Sequence, residues 1–318
     1  MRPELIQLLA CPHCAGDLDL VASKRGMDDK AQEGELVCRC GRRYAIVRGI
    51  PRFVGSEAYA VSFGFQWNRF ARTQLDSASK GSESLETFLA KTGFNLKELK
   101  GKRILDVGCG MGRFAEVCAQ AHAEVVGFDL SVAVEAANTN LSSFPNTHIV
   151  QADIFRMPFP PESFDHIYSI GVLHHTPDCE KAFRQLPRLL KPGGRIAIWV
   201  YGHMGPWVKF TDLYRRLTVR MSPRLLFALC HLSIPMYYVY KIPFLGELLW
   251  ILLPASRHPK SAWRILDTFD WYSPQYQSRH TYPDVYRWFR SEGLIDIKLL
   301  DVPVAISGVK PLQSLREE

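Results

Sequence analysis

Two groups of residues in this 318-residue chain have types and spacings that could do chemistry. The first is Cys11-Pro12-His13-Cys14 followed, after 23 residues, by Cys38-Arg39-Cys40. Four thiolates in a C-x2-C…C-x-C pattern suit a tetrahedral zinc ion, and a unit of about fifty residues gains from such a staple because its core is small. With Cys11, Cys14, Cys38 and Cys40 all bound, no position stays open for a substrate, so the ion is expected to be structural. The second pair is one residue tighter than the usual C-x2-C. The other cysteines, Cys109, Cys118, Cys179 and Cys230, stand singly and read as reduced core thiols.

The second group is a glycine loop. The apolar run Arg103-Ile104-Leu105-Asp106-Val107 leads into Gly108-Cys109-Gly110-Met111-Gly112-Arg113. Glycines here allow a tight turn and let a ligand approach a helix N-terminus without meeting a Cβ. The dinucleotide fingerprint requires a third glycine where Arg113 stands, so that pattern fails. The acid at Asp106 suits a ligand carrying an ammonium group and repels a pyrophosphate. Asp129 follows about twenty residues on, at the end of the next apolar run, where an acid can accept both hydroxyls of a ribose. Taken singly, Asp129 could equally cap a helix and Asp153 could be a solvated loop acid.

The elements that must position these residues alternate. Apolar or β-branched runs at 103–107, 124–128, 147–151, 164–170 and 195–201 are separated by helical patterns at 113–121, 132–141 and 179–190. That alternation predicts a doubly wound α/β fold with a mostly parallel sheet covered on both faces. The last helix is expected to stop at Lys191-Pro192-Gly193-Gly194. The pattern resumes with a helix over 282–292, then runs at 294–301 and 304–310 close enough to form an antiparallel hairpin at the sheet edge. Ahead of the glycine loop, residues 55–100 read as a helical connector, with a helix over 82–91 and Ser82 as its candidate N-cap. Residues 44–51 form a short β-like run closed by turn residues.

Asp106 through Gly112 resembles the first motif of class I S-adenosylmethionine-dependent methyltransferases. Asp129-Leu130 after the second strand, Asp153-Ile154 after the third, Ser169-Ile170-Gly171 through His175 after the fourth and Leu190 to Gly194 before the fifth are similar to that family's later motifs. The resemblance covers residues 100–201 and, less closely, 282–310. It implies a Rossmann-like seven-stranded sheet, S-adenosylmethionine as cofactor, and cofactor contacts from Asp106, Gly108, Cys109, Gly110, Asp129, Leu130, Asp153, Ile154 and Ile170. In that pattern Asp129 meets the ribose, Asp153 the adenine amino group, and the segment at Ile170 the methionine end. The stretch with Cys38, Gly41, Tyr44, Ile46 and Gly49-Ile50-Pro51 resembles the small Trm112-like domain, whose members include some without metal and often serve as platforms for methyltransferases. The expected organisation is a Trm112-like zinc ribbon over 1–54, a connector and cofactor cover over 55–100, and a methyltransferase domain over 101–318.

Methyl transfer from a sulfonium is an in-line displacement, which mainly needs alignment and exclusion of water. A general base is required only where the acceptor is protonated at working pH. His174 and His175 follow the fourth strand and Tyr201 ends the fifth, which makes these three the candidate catalytic groups, ahead of Tyr272 and His280. Phe63-Gly64-Phe65-Gln66-Trp67 either covers the cofactor or packs connector against core.

The net charge of +7 is unevenly spread. Between Tyr201 and Arg264 nine basic residues face two acids, Asp212 and Glu247, so this stretch carries +7 by itself and the remainder is near neutral. Segment 205–280 is aromatic, apolar and without strand alternation, and is expected to be a helical insertion with its own core on the substrate side. Its charge and apolarity also suit peripheral contact of 205–253 with a membrane, Arg215, Arg216, Arg220 and Arg224 meeting phosphates. No uncharged run reaches the length of a spanning helix. The start has no apolar stretch followed by a small-residue cleavage site, which places the expectation at the cytoplasm or the inner membrane surface. The acceptor expected is a small or lipid-like molecule: a sugar, a lipid or a natural-product intermediate. An RNA methyltransferase that grips nucleic acid through the ribbon and insertion is the alternative enzyme, disfavoured by the lack of a recognisable RNA-binding module. A non-catalytic module that binds S-adenosylmethionine and recruits a partner is the alternative from another class.

Overall fold

A computed structural model describes residues 1–26, 29–55, 58–203 and 205–312. The last residues assigned above to the methyltransferase domain, 313–318, lie outside the described residues. After a 3-10 turn at Pro3–Leu8, an antiparallel meander runs through β1 (Leu18–Arg25), β2 (Ala31–Cys38), β3 (Arg43–Val47) and β4 (Ile50–Pro51) in that spatial order. Only the last part of this sheet is legible in the sequence, because β1 buries Leu18 alone and so lacks apolar alternation.

The connector is helical: α1 (Val61–Arg69), α2 (Asp76–Ser79), α3 (Glu83–Thr92) and α4 (Leu96–Leu99). Ser82 does occupy the N-cap of α3, but its hydroxyl donates to Glu86 and caps nothing. Asp76 does the capping instead, its two carboxylate oxygens accepting from the Ser84 and Leu85 amides, both at 2.9 Å.

The large sheet is built from β5 (Arg103–Val107), α5 (Arg113–Gln120), β6 (Glu124–Asp129), α6 (Val134–Asn140), β7 (Thr147–Gln151), β8 (Phe164–Ile170), α7 (Cys179–Arg184) and β9 (Leu190–Trp199). The insertion follows as α8 (Trp207–Thr218), α9 (Pro223–Cys230), α10 (Ser233–Val239), α11 (Leu245–Leu252) and α12 (Ser261–Tyr272), and then α13 (Tyr282–Ser291), β10 (Ile295–Leu299) and β11 (Ala305–Val309) close the chain. The seven strands lie in the order β10-β11-β9-β8-β5-β6-β7. β11 runs antiparallel to both neighbours while the β9-β8-β5-β6-β7 ladder is parallel. Successive strands move one way from β5 to β7 and the other way from β8 to β9, so the order reverses beside β5. Such a switch point opens a cleft at the carboxyl ends of the strands.

Two expected boundaries are corrected. The helix expected over 179–190 ends at Arg184, and a 3-10 turn at Pro187–Leu189 completes the connection, because Pro187 removes a backbone donor. The fifth strand spans Leu190–Trp199, not 195–201. Lys191 to Gly194 are a bulge inside it: Phe164 pairs with Leu190 and His166 already pairs with Arg195. The Gly193 amide and the Gly194 carbonyl at the bulge bond to Lys310 at the end of β11.

Strand alternation sends neighbouring side chains to opposite faces. Ile104, Val125, Tyr168 and Ala197 meet Phe88 of α3, Ala115 and Cys118 of α5 and Val134 of α6. Leu105, Val126, Ile167 and Ile196 face α7 and α13 through Phe183, Val285 and Phe289. The same second cluster continues into Leu5, Leu8, Leu36 and Ile46, so the N-terminal sheet shares the core of the large one. The insertion has a separate small core of Leu226, Cys230, Ile265, Leu266 and Phe269. Among the described residues no helix is long and apolar enough to cross a membrane.

Arg52 secures the joint between the sheets. It pairs with Gln151 as an isolated parallel bridge, and its guanidinium donates to Gln151 Oε1 at 2.9 Å and Glu135 Oε1 at 3.1 Å. With this side chain largely covered, Arg52→Ala should lower the unfolding free energy by about 1–3 kcal/mol in urea denaturation.

Candidate active site

At the switch point, the Gly108 and Cys109 amides both donate to the Phe128 carbonyl at 2.9 Å, which ties the turn after β5 to the end of β6. Gly108 has φ +77, and a Cβ there would lie 2.4 Å from Val172, so no other residue fits. Gly110, at φ +52, lets the Trp67 indole of α1 come against the loop. Its amide donates to Asp129 Oδ2 at 3.0 Å, while Asp129 Oδ1 accepts from the Ser131 amide at 2.8 Å and its hydroxyl at 2.7 Å. Oδ2 therefore keeps an acceptor position.

These groups line a cavity of about 290 Å³. Tyr59, Leu130 and Ile154 line it together with Asp129; Gly108, Cys109, Gly110, Ile170 and Gly171 line it from the strand ends; His175 and Tyr201, also expected from sequence, line it too. Phe63, Gln66 and Trp67 of α1 and Leu266, Asp267 and Asp270 of α12 also line the space.

Three expected residues stand outside the cavity lining. Asp106 is buried behind the loop, where desolvation pushes its carboxyl up to about 7, and its Oδ2 has no hydrogen-bond partner. Asp153 N-caps the 3-10 turn at Ile154–Arg156 by accepting the Phe155 amide at 3.0 Å. His174 is 0% exposed and stacks on Tyr201 with ring centroids 3.8 Å apart. Its Nδ1 accepts the Tyr201 amide at 3.3 Å, and its Nε2 has no partner.

His175 differs. Its Nδ1 lies 2.9 Å from the Tyr276 carbonyl, which can only accept, so Nδ1 carries the proton and Nε2 is the free acceptor. Burial holds its pKa below the ordinary imidazole value. Tyr201 donates to Asp270 Oδ2 at 3.0 Å, and Gln66 to Asp270 Oδ1 at 3.4 Å.

Sequence reasoning missed Lys91, Asp267 and Asp270, all on the cavity wall, and offered Gln66 only as part of the Phe63–Trp67 segment. Lys91 sits 3.2 Å from the centroid of the Trp199 ring and is brought down to about 7 by burial, with Arg113 adding repulsion. Burial likewise pushes Asp267 up to about 7. The i,i+3 spacing of Asp267 and Asp270 on a helix rich in apolar and aromatic residues was the available signal. Lys91, in the last turn of a helix, reads as a solvated end.

Comparison with known proteins finds two family models that match separate parts of the chain. A methyltransferase domain model matches residues 105–198, and a Trm112p-like protein model matches residues 2–49. The chain carries a methyltransferase domain and a Trm112p-like domain. It is 32% identical over 163 residues to sterol 24-C-methyltransferase ERG6B of Gibberella zeae, covering 49% of this chain and 39% of that protein. It is 25% identical over 248 residues to an uncharacterised chloroplastic methyltransferase of Arabidopsis thaliana, covering 68% of each. A chain of the complex between the Haloferax volcanii Trm112 methyltransferase activator and its methyltransferase shares 14% identity with a TM-score of 0.46, covering 79% of this chain and 97% of that one. The chain spans less than half the length of the fungal sterol methyltransferases it matches, 39% and 47% of two of them.

In the Trm112p-like domain the sulfurs of Cys11, Cys14, Cys38 and Cys40 all lie within 4.8 Å of one another. Two of the separations are 3.5 Å (Cys14 to Cys38) and 3.8 Å (Cys11 to Cys40). Zinc–sulfur bonds of about 2.3 Å in a tetrahedron put sulfurs about 3.8 Å apart, so the donor set fits zinc in type and spacing. Gly16 makes room, since a Cβ there would come 3.3 Å from Cys14 Sγ. Tyr44 Oη lies 3.1 Å from Cys11 Sγ, an outer contact of the kind that orients a ligand. Elemental analysis should find about one zinc per chain, and removal by a strong chelator should lower Tm, with Cys38→Ser reproducing the loss.

Proposed function

We propose that this protein transfers the methyl group of S-adenosylmethionine to a small or lipid-like acceptor held between the sheet and α12. The observation that carries the reading is the pairing of the Gly108–Gly110 loop with Asp129 across the switch point, facing a cavity closed by α1 and α12. When bound, the cofactor supplies an already activated methyl on a sulfonium. Asp129 accepts from the ribose hydroxyls, and Tyr59, Leu130 and Ile154 give the base an apolar slot. Asp106 lies behind the loop with one oxygen unpartnered, and a cation bound at the loop would favour the ionised form of its raised carboxyl. Asp153 takes its place here through Ile154, in the turn it caps by accepting the Phe155 amide, more than through its own carboxylate.

For an acceptor that must lose a proton, His175 is the base. Its Nε2 is the acceptor atom, its Nδ1 is anchored on Tyr276, and burial keeps the ring neutral. His174 holds Tyr201 in place by stacking and by accepting its amide, and Tyr201 in turn fixes Asp270. We assign residues 55–100 to covering the cofactor, because Phe63, Gln66 and Trp67 line the cavity and exclude water from it. Asp267, Asp270 and Gln66 then define the polar side of the acceptor pocket, and Trp199, Phe63 and Leu266 its apolar side.

S-adenosylmethionine at about 100 times its Kd should stabilise the protein by about 2.7 kcal/mol, read as a rise of several degrees in Tm. Asp129→Ala should abolish the rise; no shift in the wild type overturns the cofactor assignment. Once an acceptor hydroxyl is in hand, His175→Gln should lower kcat by roughly 10²–10⁴ while leaving cofactor binding intact. Because the folded pKa of His175 is depressed, the neutral, active ring is already present at the ordinary imidazole value of about 6.5. The wild-type rate should therefore hold its plateau through that pH and fall only in more acidic solution.

A further inference from the structure

Fourteen of the twenty-one exposed large apolar side chains among the described residues fall between Leu213 and Leu253. They form stripes on each helix: Leu213 and Leu217 on α8, Leu225 and Leu229 on α9, Leu245, Leu248 and Leu252 on α11. Helix α11, Leu-Gly-Glu-Leu-Leu-Trp-Ile-Leu, is apolar almost all round, yet Gly246 is its only buried residue. A helix of that composition belongs in an apolar environment that the fold itself does not supply. Ahead of it Phe244 is 93% exposed. A γ-turn holds it out: the Leu245 amide donates to the Pro243 carbonyl at 2.6 Å, with Phe244 at φ +60, a strained conformation for a bulky residue.

The charge around these stripes is one-signed. Lys209, Arg216, Arg220, Arg224 and Lys241 are exposed and make no ion pair among the described residues. The two acids of the segment are both neutralised internally, Asp212 by Arg215 and Arg279, Glu247 by Arg257. Lys241 lies 4.3 Å from the centroid of the Tyr237 ring, beside Tyr238, which places aromatic rings at the boundary between apolar and cationic surface.

We propose that α8–α11 form a docking face for a bilayer surface rich in anionic lipid, with Phe244 and the α11 leucines entering the acyl region and the unpaired cations meeting headgroup phosphates. The charge selects an anionic partner. Apolar stripes spread over several short helices, with a projecting aromatic, match a slab that needs no shape complementarity, as a bilayer is. The inference stands apart from the acceptor's identity, since none of these side chains lines the cavity.

The test is co-sedimentation of the full chain with vesicles of phosphatidylcholine alone and of phosphatidylcholine with 30% phosphatidylglycerol (roughly the charge density at which polybasic segments respond). Partition should be at least about tenfold stronger on the anionic vesicles and weaken with added salt. Phe244→Asp should reduce it about tenfold or more, as should Arg216→Glu combined with Arg220→Glu, while the S-adenosylmethionine-induced rise in Tm, which reports the cavity, stays as in the wild type. Equal partition on both vesicles, no partition by the folded protein, or an unaffected Phe244→Asp variant would overturn the proposal. So would a dimer in light scattering that Phe244→Asp converts to a monomer without any vesicle binding, because the face would then join two copies of the chain.

Discussion

One peptide unit organises the candidate site. The Gly108 and Cys109 amides share the Phe128 carbonyl, so the turn after β5 cannot leave the end of β6. That clamp puts the Gly110 amide on Asp129 and leaves Gly108 so close to Val172 that any side chain would collide. Gly110 in turn admits Trp67, which brings α1 down over the loop. Connector, glycine loop and the segment after β8 therefore meet because two strands are tied at one carbonyl oxygen.

The cavity walls carry ionisable groups driven toward their neutral forms. Burial lifts Asp267 to about 7, brings Lys91 down to about 7 and depresses His175, and it lifts Asp106, behind the loop, to about 7 as well. Walls that lean toward their neutral forms suit an in-line displacement at a sulfonium methyl, in which the positive charge leaves the sulfur and, with a protonated acceptor, passes to the base. Burial also keeps His175 unprotonated where a solvated histidine would be partly charged.

The Trm112p-like domain is continuous with the large domain in its packing. Leu5, Leu8, Leu36 and Ile46 join the same apolar cluster as Val150 of β7, and Arg52 bridges β4 to β7. Its four thiols stand apart from the cavity lining. Any link between that cluster and the cavity would run through the shared core.

The sequence by itself determined the parallel alternation, the glycine loop, the acid ending β6 and the four-thiol cluster, because each depends on local periodicity or on residue types at short spacing. Local signals also placed the hairpin of β10 and β11. They failed where pairing partners lie far away: β9 starts at Leu190 because its bulge bonds to Lys310, and α3 is capped by Asp76 and not by the adjacent Ser82. Only the tertiary structure separated His175 from His174, since neighbouring residues of one type differ by which way the chain turns each ring. Only it brought Lys91, Gln66, Asp267 and Asp270 to the cavity from helices far apart in sequence. Those contacts arise from how α1, α3 and α12 dock on the sheet, and docking is a property of packed faces that no short window of sequence records.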